Sequence, residues 1–309
     1  MTKVLLVNHK EKSCGVYQFG RRVYNLASKS TRVSYTYLET NTRDEFINAR
    51  DSLKPEFIIY NWYPCTMTWV SDPLINNYKD AKHYFIWHDG TVRQYYDGYL
   101  FFGQGEKDAH ARRIYLEKAF VLPRPLLDYN NIYEKNEVLT IGSFGFGGWQ
   151  KGFNDLTILV NKIFNEAILN IHMPFAFFGD EKGIETTKIA NVCRELNINP
   201  GIELNITHDL LTESELLDFL ARNDLNAFLY GAISEGLSSV IDYALSVQRP
   251  VAVTNTMMFR HLQPNDDILV EHNSLMEILN KGTKPLEKYY QEWSTDNFVK
   301  ALDNLFLGG

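Results

Sequence analysis

The feature that most constrains this chain is a series of short, continuously apolar segments, each followed by a stretch with helical periodicity. KVLLVN (3–8), EFIIYNW (56–62), HYFIWH (83–88) and AFVLP (119–123) have strand length and show no polar alternation. Strands apolar on both sides need cover on both faces, and helical crossovers between them make the sheet parallel. The helical stretches here are 18–29, 43–53 and 105–117. The pattern then repeats, with strands at VLTIGSFG (138–145), PFAFFG (174–179), IELNI (202–206), LNAFLY (225–230) and PVAVT (250–254). Its helices fall near 153–168, 183–196, 212–222 and 238–247. The sequence therefore predicts an α/β fold of two Rossmann-like, doubly wound parallel-sheet domains. The break lies in PRPLLDYNNIYEKNE (123–137), where prolines, asparagines and charges replace the periodic pattern. The expected domains are 1–128 and 129–285, with an amphipathic helical segment at 286–309 that can pack back on the N-terminal domain.

A chain of 309 residues, 45% hydrophobic, has enough material for two cores. Its net charge of −7 argues against nucleic acid as a partner, because phosphate backbones are held by basic patches. Cys14, Cys65 and Cys193 are scattered and odd in number, without metal-ligand spacing, so they read as reduced thiols of a cytosolic protein. The start, MTKVLLVNH, is expected to be a strand rather than a secretory signal, and no apolar run reaches membrane-spanning length. The expected location is cytoplasmic, with peripheral contact at the inner membrane surface left open. The 18 Tyr and 19 Phe suit carbohydrate stacking, and equally suit core packing.

In parallel α/β sheets ligands bind beyond the C-terminal ends of strands. Four stretches with chemical content fall there. In SEGLSSVIDYAL (234–245), Gly236 admits close approach to the backbone and Ser238 or Ser239 can cap a helix starting near Ser238. The first amides of that helix attract an anion. Glu235 precedes the helix and Asp242 lies inside it, so a phosphate between two hydroxyl-accepting acids is one reading. An ordinary N-capped helix is the other. IGSFGFGGWQKGFNDL (141–156) is a glycine-rich strand-to-helix turn in which Lys151 can neutralise a diphosphate. It has neither a P-loop ending nor a registered dinucleotide fingerprint, and a flexible turn with a solvated lysine is the alternative. VNHKEKSCGVYQFGRRVYNLA (7–27) places Gly15 in a similar turn, with Lys10, Lys12, Arg21 and Arg22 expected on a solvated face. FIWHDGTVR (85–93) ends a strand in His88 and Asp89, with Arg93 available to an anion or a nearby acid.

Taken in order, these stretches resemble the retaining GT-B glycosyltransferases of family 4 (group 1). EGLSSVID (235–242) resembles that family's E-x7-E motif, and ALSVQRPVAVT (244–254) its following helix, Gly-[KR]-Pro turn and strand. IGSFG…QKG resembles its glycine–lysine loop, KSCGVYQFGRRVYNLA its first glycine loop and helix, and VLPRPLLD its segment before the domain linker. The resemblance implies two Rossmann-like domains facing a cleft. It implies transfer of a sugar from a nucleoside diphosphate donor (UDP or GDP) to a hydroxyl acceptor, the hexosyltransferase chemistry of class 2.4. The acceptor class is a glycan, a lipid-linked glycan or a small molecule, as in polysaccharide or glycoconjugate synthesis. No cofactor beyond the donor and no metal are implied.

By the same resemblance, Glu235 binds donor-sugar hydroxyls and the amides of Gly236, Leu237, Ser238 and Ser239 hold the diphosphate. Lys151 stabilises the leaving phosphates, Asp242 binds ribose, His88 lies near the reacting sugar, and Gly15 lines the cleft. Asp89 and Arg93 fall on the acceptor side. Three positions depart from the pattern: Asp242 is shorter than the usual Glu, Ser143 replaces an arginine of the diphosphate site, and Gln248 replaces the turn glycine. A catalytically degenerate glycan- or nucleotide-binding protein, and another GT-B enzyme such as an epimerase or phosphorylase, are the alternatives. A dehydrogenase is third, since NHKEKSCG supplies no clean dinucleotide turn.

Overall fold

The computed structural model describes residues 1–88, 96–103, 116–177, 179–231, 236–262 and 265–308. The chain forms two compact units, Met1–Leu127 together with Glu292–Gly309, and Asp128–Gln291.

The first unit is built on a parallel sheet of β1 (Thr2–Asn8), β2 (Val33–Glu39), β3 (Phe57–Tyr60), β4 (Lys82–Ile86), β5 (Gly98–Phe102) and β6 (Ala119–Leu122), in the order β2-β1-β3-β4-β5-β6. The continuous apolar run of β1 now has its explanation. Val4 and Leu6 join one core, with Phe19, Val23 and Leu26 of helix α1 (Gly15–Ala27). Leu5 and Val7 join the core on the opposite face, with Phe46 of helix α2 (Arg43–Leu53) and Leu74 of helix α3 (Asp72–Asn77). β2 and β5 were not expected from the apolar runs. β2 is an edge strand whose VSYTYLE alternates in polarity, with Val33 and Tyr35 buried and Ser34 exposed. The helix expected at 105–117 lies largely outside the described residues.

The second unit carries a parallel sheet of β7 (Thr140–Phe144), β8 (Ala167–His172), β9 (Ile202–Thr207), β10 (Leu225–Phe228) and β11 (Val251–Val253), ordered β11-β10-β7-β8-β9. Its crossovers are α4 (Phe153–Ile163), α5 (Ile184–Leu196), α6 (Glu213–Ala221) and α7 (Val240–Ser246), followed by α8 (Leu275–Lys281) and α9 (Glu287–Glu292). One expectation is corrected here. The strand is AILNIH (167–172), not PFAFFG (174–179), and the preceding helix stops at Ile163 rather than 168. Pro174 cannot donate to a ladder, and Phe175 is partly exposed, so the more apolar run forms a loop.

The terminal amphipathic stretch is also two pieces. α9 belongs to the second unit up to Gln291, whereas α10 (Thr295–Leu307) lays Phe298, Leu302 and Phe306 into the core beneath β1, β3 and α1 of the first. Among the described residues no helix is long and apolar enough to cross a membrane. The basic group near the first turn is not uniformly solvated as expected. Lys10 pairs with Glu45 and Arg21 with Glu39, but Arg22 is fully buried, its guanidinium 5.3 Å from the Phe19 ring centroid.

Both sheets reverse their winding once. In the first unit β2 is added on one side of β1 and β3 on the other, so the switch point lies between β1 and β3. In the second unit β8 and β9 extend one way from β7 and β10 is added on the opposite side, which puts the switch between β7 and β10. These are the positions at which open α/β sheets leave a crevice for ligands.

Candidate functional site

At the switch point of the second unit, the glycine-rich loop after β7 is held on both sides rather than flexible. Gly145 N–H donates to His172 O at 3.1 Å and Gly147 N–H to Pro174 O at 3.3 Å, tying the loop to the end of β8. Gly231 N–H donates to Gln150 O at 2.9 Å, tying it to the end of β10. Gly152 has φ +65°, and a Cβ there would stand 1.8 Å from Leu229 O, so only glycine closes this turn. The result is a short 3-10 turn, Trp149–Lys151, that presents Lys151 over the end of β10.

Lys151 is the centre of this arrangement. Its Nζ lies 4.0 Å from the centroid of the Tyr230 ring. Among the described residues no carboxylate pairs with it. Burial lowers its pKa to about 8, because a desolvated ammonium with only a ring quadrupole for company is less stable than one in water. Lys151 is half-buried, with its ammonium over the Tyr230 ring rather than turned wholly to solvent. Tyr230 is itself fully buried, packed against Phe259 at 4.9 Å between centroids, with Ser238 beside its hydroxyl. A Cβ on Gly145 would stand 3.0 Å from that hydroxyl and 3.9 Å from Lys151 Cδ, so the glycine lets the loop close on both. A cation of lowered pKa at a sheet's switch point, with no carboxylate beside it among the described residues, is a candidate anion site.

The other expected residues are placed unevenly around it. Ser238 is buried and its N–H donates to Met258 O at 3.0 Å. Ser239 occupies the N-cap position of α7, but its side chain does not cap the helix as expected. The cap residue is already in the right-handed helical region, φ −82° and ψ −3°, which is not the extended geometry a capping serine uses. Gly236 and Leu237 are half-buried before it. Asp242 sits in the first turn of α7 with no exposed surface, so its carboxylate faces the interior and not solvent. Ser143 is likewise buried, inside β7 in register with Ile171 of β8. Glu235 lies outside the described residues, as do Asp89 and Arg93.

At the switch point of the first unit, the ends of β1, β3 and β4 bring together Asn8, His9, Asn61 and His88. His88 Nε2 is 2.7 Å from Asn61 Oδ1, and the ring packs edge-on against Phe19 at 5.6 Å. Burial, then the neighbouring His9 and Arg124, pull its pKa down to about 3, so the imidazole is neutral at physiological pH. His9 is wholly buried, with its pKa lowered to about 4 by desolvation. Its Nδ1 accepts from Glu11 N–H at 3.2 Å, and among the described residues its Nε2 has no hydrogen-bond partner. Gly15 is exposed at the first position of α1, behind an N-cap residue, Cys14, that makes no side-chain cap. Tyr230, Asn61, Asn8 and His9 were missed by the sequence reading. The one signal available was position: each stands at or just past the C-terminal end of an apolar run. Among the described residues no group of three or more His, Cys, Asp or Glu is placed to hold a metal ion.

No protein-family model matches the sequence, and no curated protein does. Solved structures do. The lipopolysaccharide outer core galactosyltransferase WaaB superposes with a TM-score of 0.64 at 13% identity, covering 100% of this chain and 99% of its own. The Anabaena protein HepE, solved in complex with UDP-glucose, gives 0.63 at 12% identity, covering 99% of this chain and 95% of its own. A UDP-forming α,α-trehalose-phosphate synthase from Burkholderia xenovorans, in complex with glucose-6-phosphate, gives 0.66 at 10% identity over 100% of this chain and 99% of its own. Identities this low carry the fold alone, and the fold is that of the GT-B glycosyltransferases: two parallel-sheet α/β domains in one chain.

Proposed function

We propose that this chain is a glycosyltransferase that moves a sugar from a nucleoside diphosphate donor to a hydroxyl acceptor, with the second unit holding the donor. The observation that carries the reading is Lys151. An ammonium over the Tyr230 ring, with no carboxylate partner among the described residues, stands at the switch point of the sheet, on a loop whose glycines allow close approach. A diphosphate supplies a negative charge that the described residues do not. Uridine nucleotides are the first donors to test, since HepE was solved with UDP-glucose, the Burkholderia synthase is UDP-forming, and TarM from S. aureus was solved with UDP.

In the proposed reaction the bond between the anomeric carbon and the donor phosphate oxygen breaks, and a bond from the acceptor oxygen to that carbon forms. The acceptor's proton leaves to the departing phosphate, and the configuration is retained. Negative charge grows on the phosphate in the oxocarbenium-like transition state, so Lys151 contributes more there than in the ground state. The Gly236–Ser239 backbone and Glu235 complete the donor site, and His88 contacts the sugar. No step requires a metal, and the expected activity survives chelation.

The test is thermal unfolding of the purified chain against UDP, GDP, ADP and their glucose conjugates, with and without magnesium. A ligand that binds only the folded state raises the midpoint by an amount set by its concentration over Kd. A rise with one base, indifferent to magnesium and accompanied by sugar transfer to an acceptor panel, supports the reading. Binding without transfer points instead to a degenerate nucleotide-binding relative, and the absence of any shift at millimolar ligand removes the donor site.

A further inference from the structure

The hydrogen bonds at the switch point of the first unit determine more than a contact to His88. Each is anchored on a backbone group whose role as donor or acceptor is fixed. Val16 O can only accept, so the Asn61 atom 2.7 Å from it is the amide nitrogen. The same nitrogen donates to Asn8 Oδ1 at 2.8 Å. Asn8 is anchored in turn: Tyr17 O accepts from its Nδ2 at 3.0 Å, and the His9 N–H donates to its Oδ1 at 2.9 Å. Neither amide can be flipped without setting oxygen against oxygen. Asn61 Oδ1 must therefore face His88, and His88 Nε2 must carry the proton that makes the 2.7 Å contact. In the neutral ring Nδ1 is then bare. Among the described residues nothing donates to it.

We propose that Asn61 is a positioning residue that locks His88 as the Nε2–H tautomer, so that the Nδ1 lone pair is offered as a hydrogen-bond acceptor to a sugar hydroxyl. The tautomer assignment stands on the hydrogen bonds alone; its use in sugar transfer rests on the function proposed above. The lock is built into the packing. Asn61 and Asn8 are both without exposed surface. The turn of α1 over them is closed by Gly20, where a Cβ would stand 2.3 Å from Asn61 Nδ2. The amide is thereby held between β1, β3 and α1, with no room to rotate. The low basicity of the half-buried ring keeps it neutral, so that the lock selects a lone pair rather than a charge. A ring free to exchange tautomers carries the proton on Nδ1 for part of the time, and in that form it cannot accept from the hydroxyl.

The test is long-range 1H–15N correlation on the full chain carrying 15N-histidine, with His88→Gln identifying the His88 signals. The expected spectrum shows a protonated Nε2 and a bare Nδ1, unchanged between about pH 8 and about pH 5.5. A proton on Nδ1, or an averaged pair of nitrogens, overturns the proposal whether or not the protein transfers any sugar. Two variants then release the lock, Asn61→Leu directly and Gly20→Ala by displacing the amide. Each is expected to mix the tautomers and to lower kcat by up to about twofold, the share of the ring that loses its Nδ1 lone pair, with the donor KM unchanged. A variant that keeps the wild-type tautomer, or that averages it without changing kcat, also overturns the proposal. The wild-type spectrum needs no variant to fold. A locked tautomer in a protein without transferase activity would leave the lock standing and remove its catalytic use.

Discussion

The ammonium of Lys151 lies 4.0 Å from the ring centroid of Tyr230, and the ring is the only partner it has among the described residues. A quadrupole compensates part of the lost hydration, not all of it. The pKa consequently falls from 10.5 to about 8. In the window between those values the unfolded chain holds a proton that the folded chain has released, so stability rises with pH across it. Below about pH 8 the full cost of the buried charge is present. Donor affinity has the opposite sign, because the diphosphate is attracted by the charged form. Titration calorimetry with UDP is expected to show affinity falling as pH rises past about 8. The limb is displaced upward in the complex, because the bound anion favours the proton. An affinity independent of pH from about 6.5 to 9.5 would remove Lys151 from the donor site.

Replacing Lys151 by methionine separates the two roles. The thioether keeps the apolar stem over the Tyr230 ring and removes the charge. Stability at pH 7 is expected to stay level or to increase, since a partly desolvated cation with no counter-ion among the described residues is lost. The midpoint shift given by UDP is expected to disappear, with turnover at least about tenfold lower. A variant that unfolds at lower temperature and still binds UDP would show that the lysine is a packing element.

The same site shows what the sequence could and could not reveal. The two-faced burial of β1 was legible, since a run with Val4 and Leu6 on one side and Leu5 and Val7 on the other cannot be half-solvated. Lys151 was legible because a glycine-rich turn after a strand is a local pattern. Asn61 was not, because its partner Asn8 lies 53 residues away and the network exists only once β1 and β3 are neighbours. Tyr230 reads in sequence as the last residue of a buried strand, and nothing local says that a cation will sit on its ring. The misplaced strand at 174–179 has a similar cause. Hydrophobicity ranks PFAFFG above AILNIH, whereas the ladder needs donors along its length and rejects Pro174. Asp242 shows the limit of spacing arguments: the position on the helix was right, but the face it takes is the buried one.

Gln248 stands where the resemblance calls for glycine, and its backbone gives the reason for that glycine. Its φ is +52°, the left-handed region that a side chain enters at a cost, and its N–H closes the turn after α7 onto Leu245 O at 3.0 Å. Gln248→Gly is expected to stabilise the chain by about 0.5–1 kcal/mol, the relief of strain exceeding the added entropy of the unfolded state. Urea unfolding measures it as a shift of midpoint at constant slope. Gln248→Ala, which keeps the Cβ, is expected to give no gain, and equal effects of the two would show that the glutamine side chain and not its backbone sets the balance.

Asp303 on α10 ties the C-terminal helix to the first sheet. It accepts from Ser30 Oγ at 2.6 Å and from Tyr35 Oη at 3.2 Å, and it is almost wholly buried. The carboxylate beside it, added to burial, raises the Tyr35 pKa, so the phenol stays a donor across the accessible pH range. Removing the acid alone leaves the buried Tyr35 hydroxyl and the half-buried Ser30 hydroxyl without their acceptor. Asp303→Ala is therefore expected to cost about 2–3 kcal/mol. Tyr35→Phe removes one donor and is expected to cost about 1 kcal/mol. In the double variant the two losses overlap, since neither partner is left seeking the other, giving a coupling of about 1 kcal/mol by a denaturation cycle. Strict additivity would mean that α10 is held by Phe298, Leu302 and Phe306 alone. Because those three fill the core beneath β1 and β3, Asp303→Ala is also expected to speed amide exchange in α10 before it does so in β1.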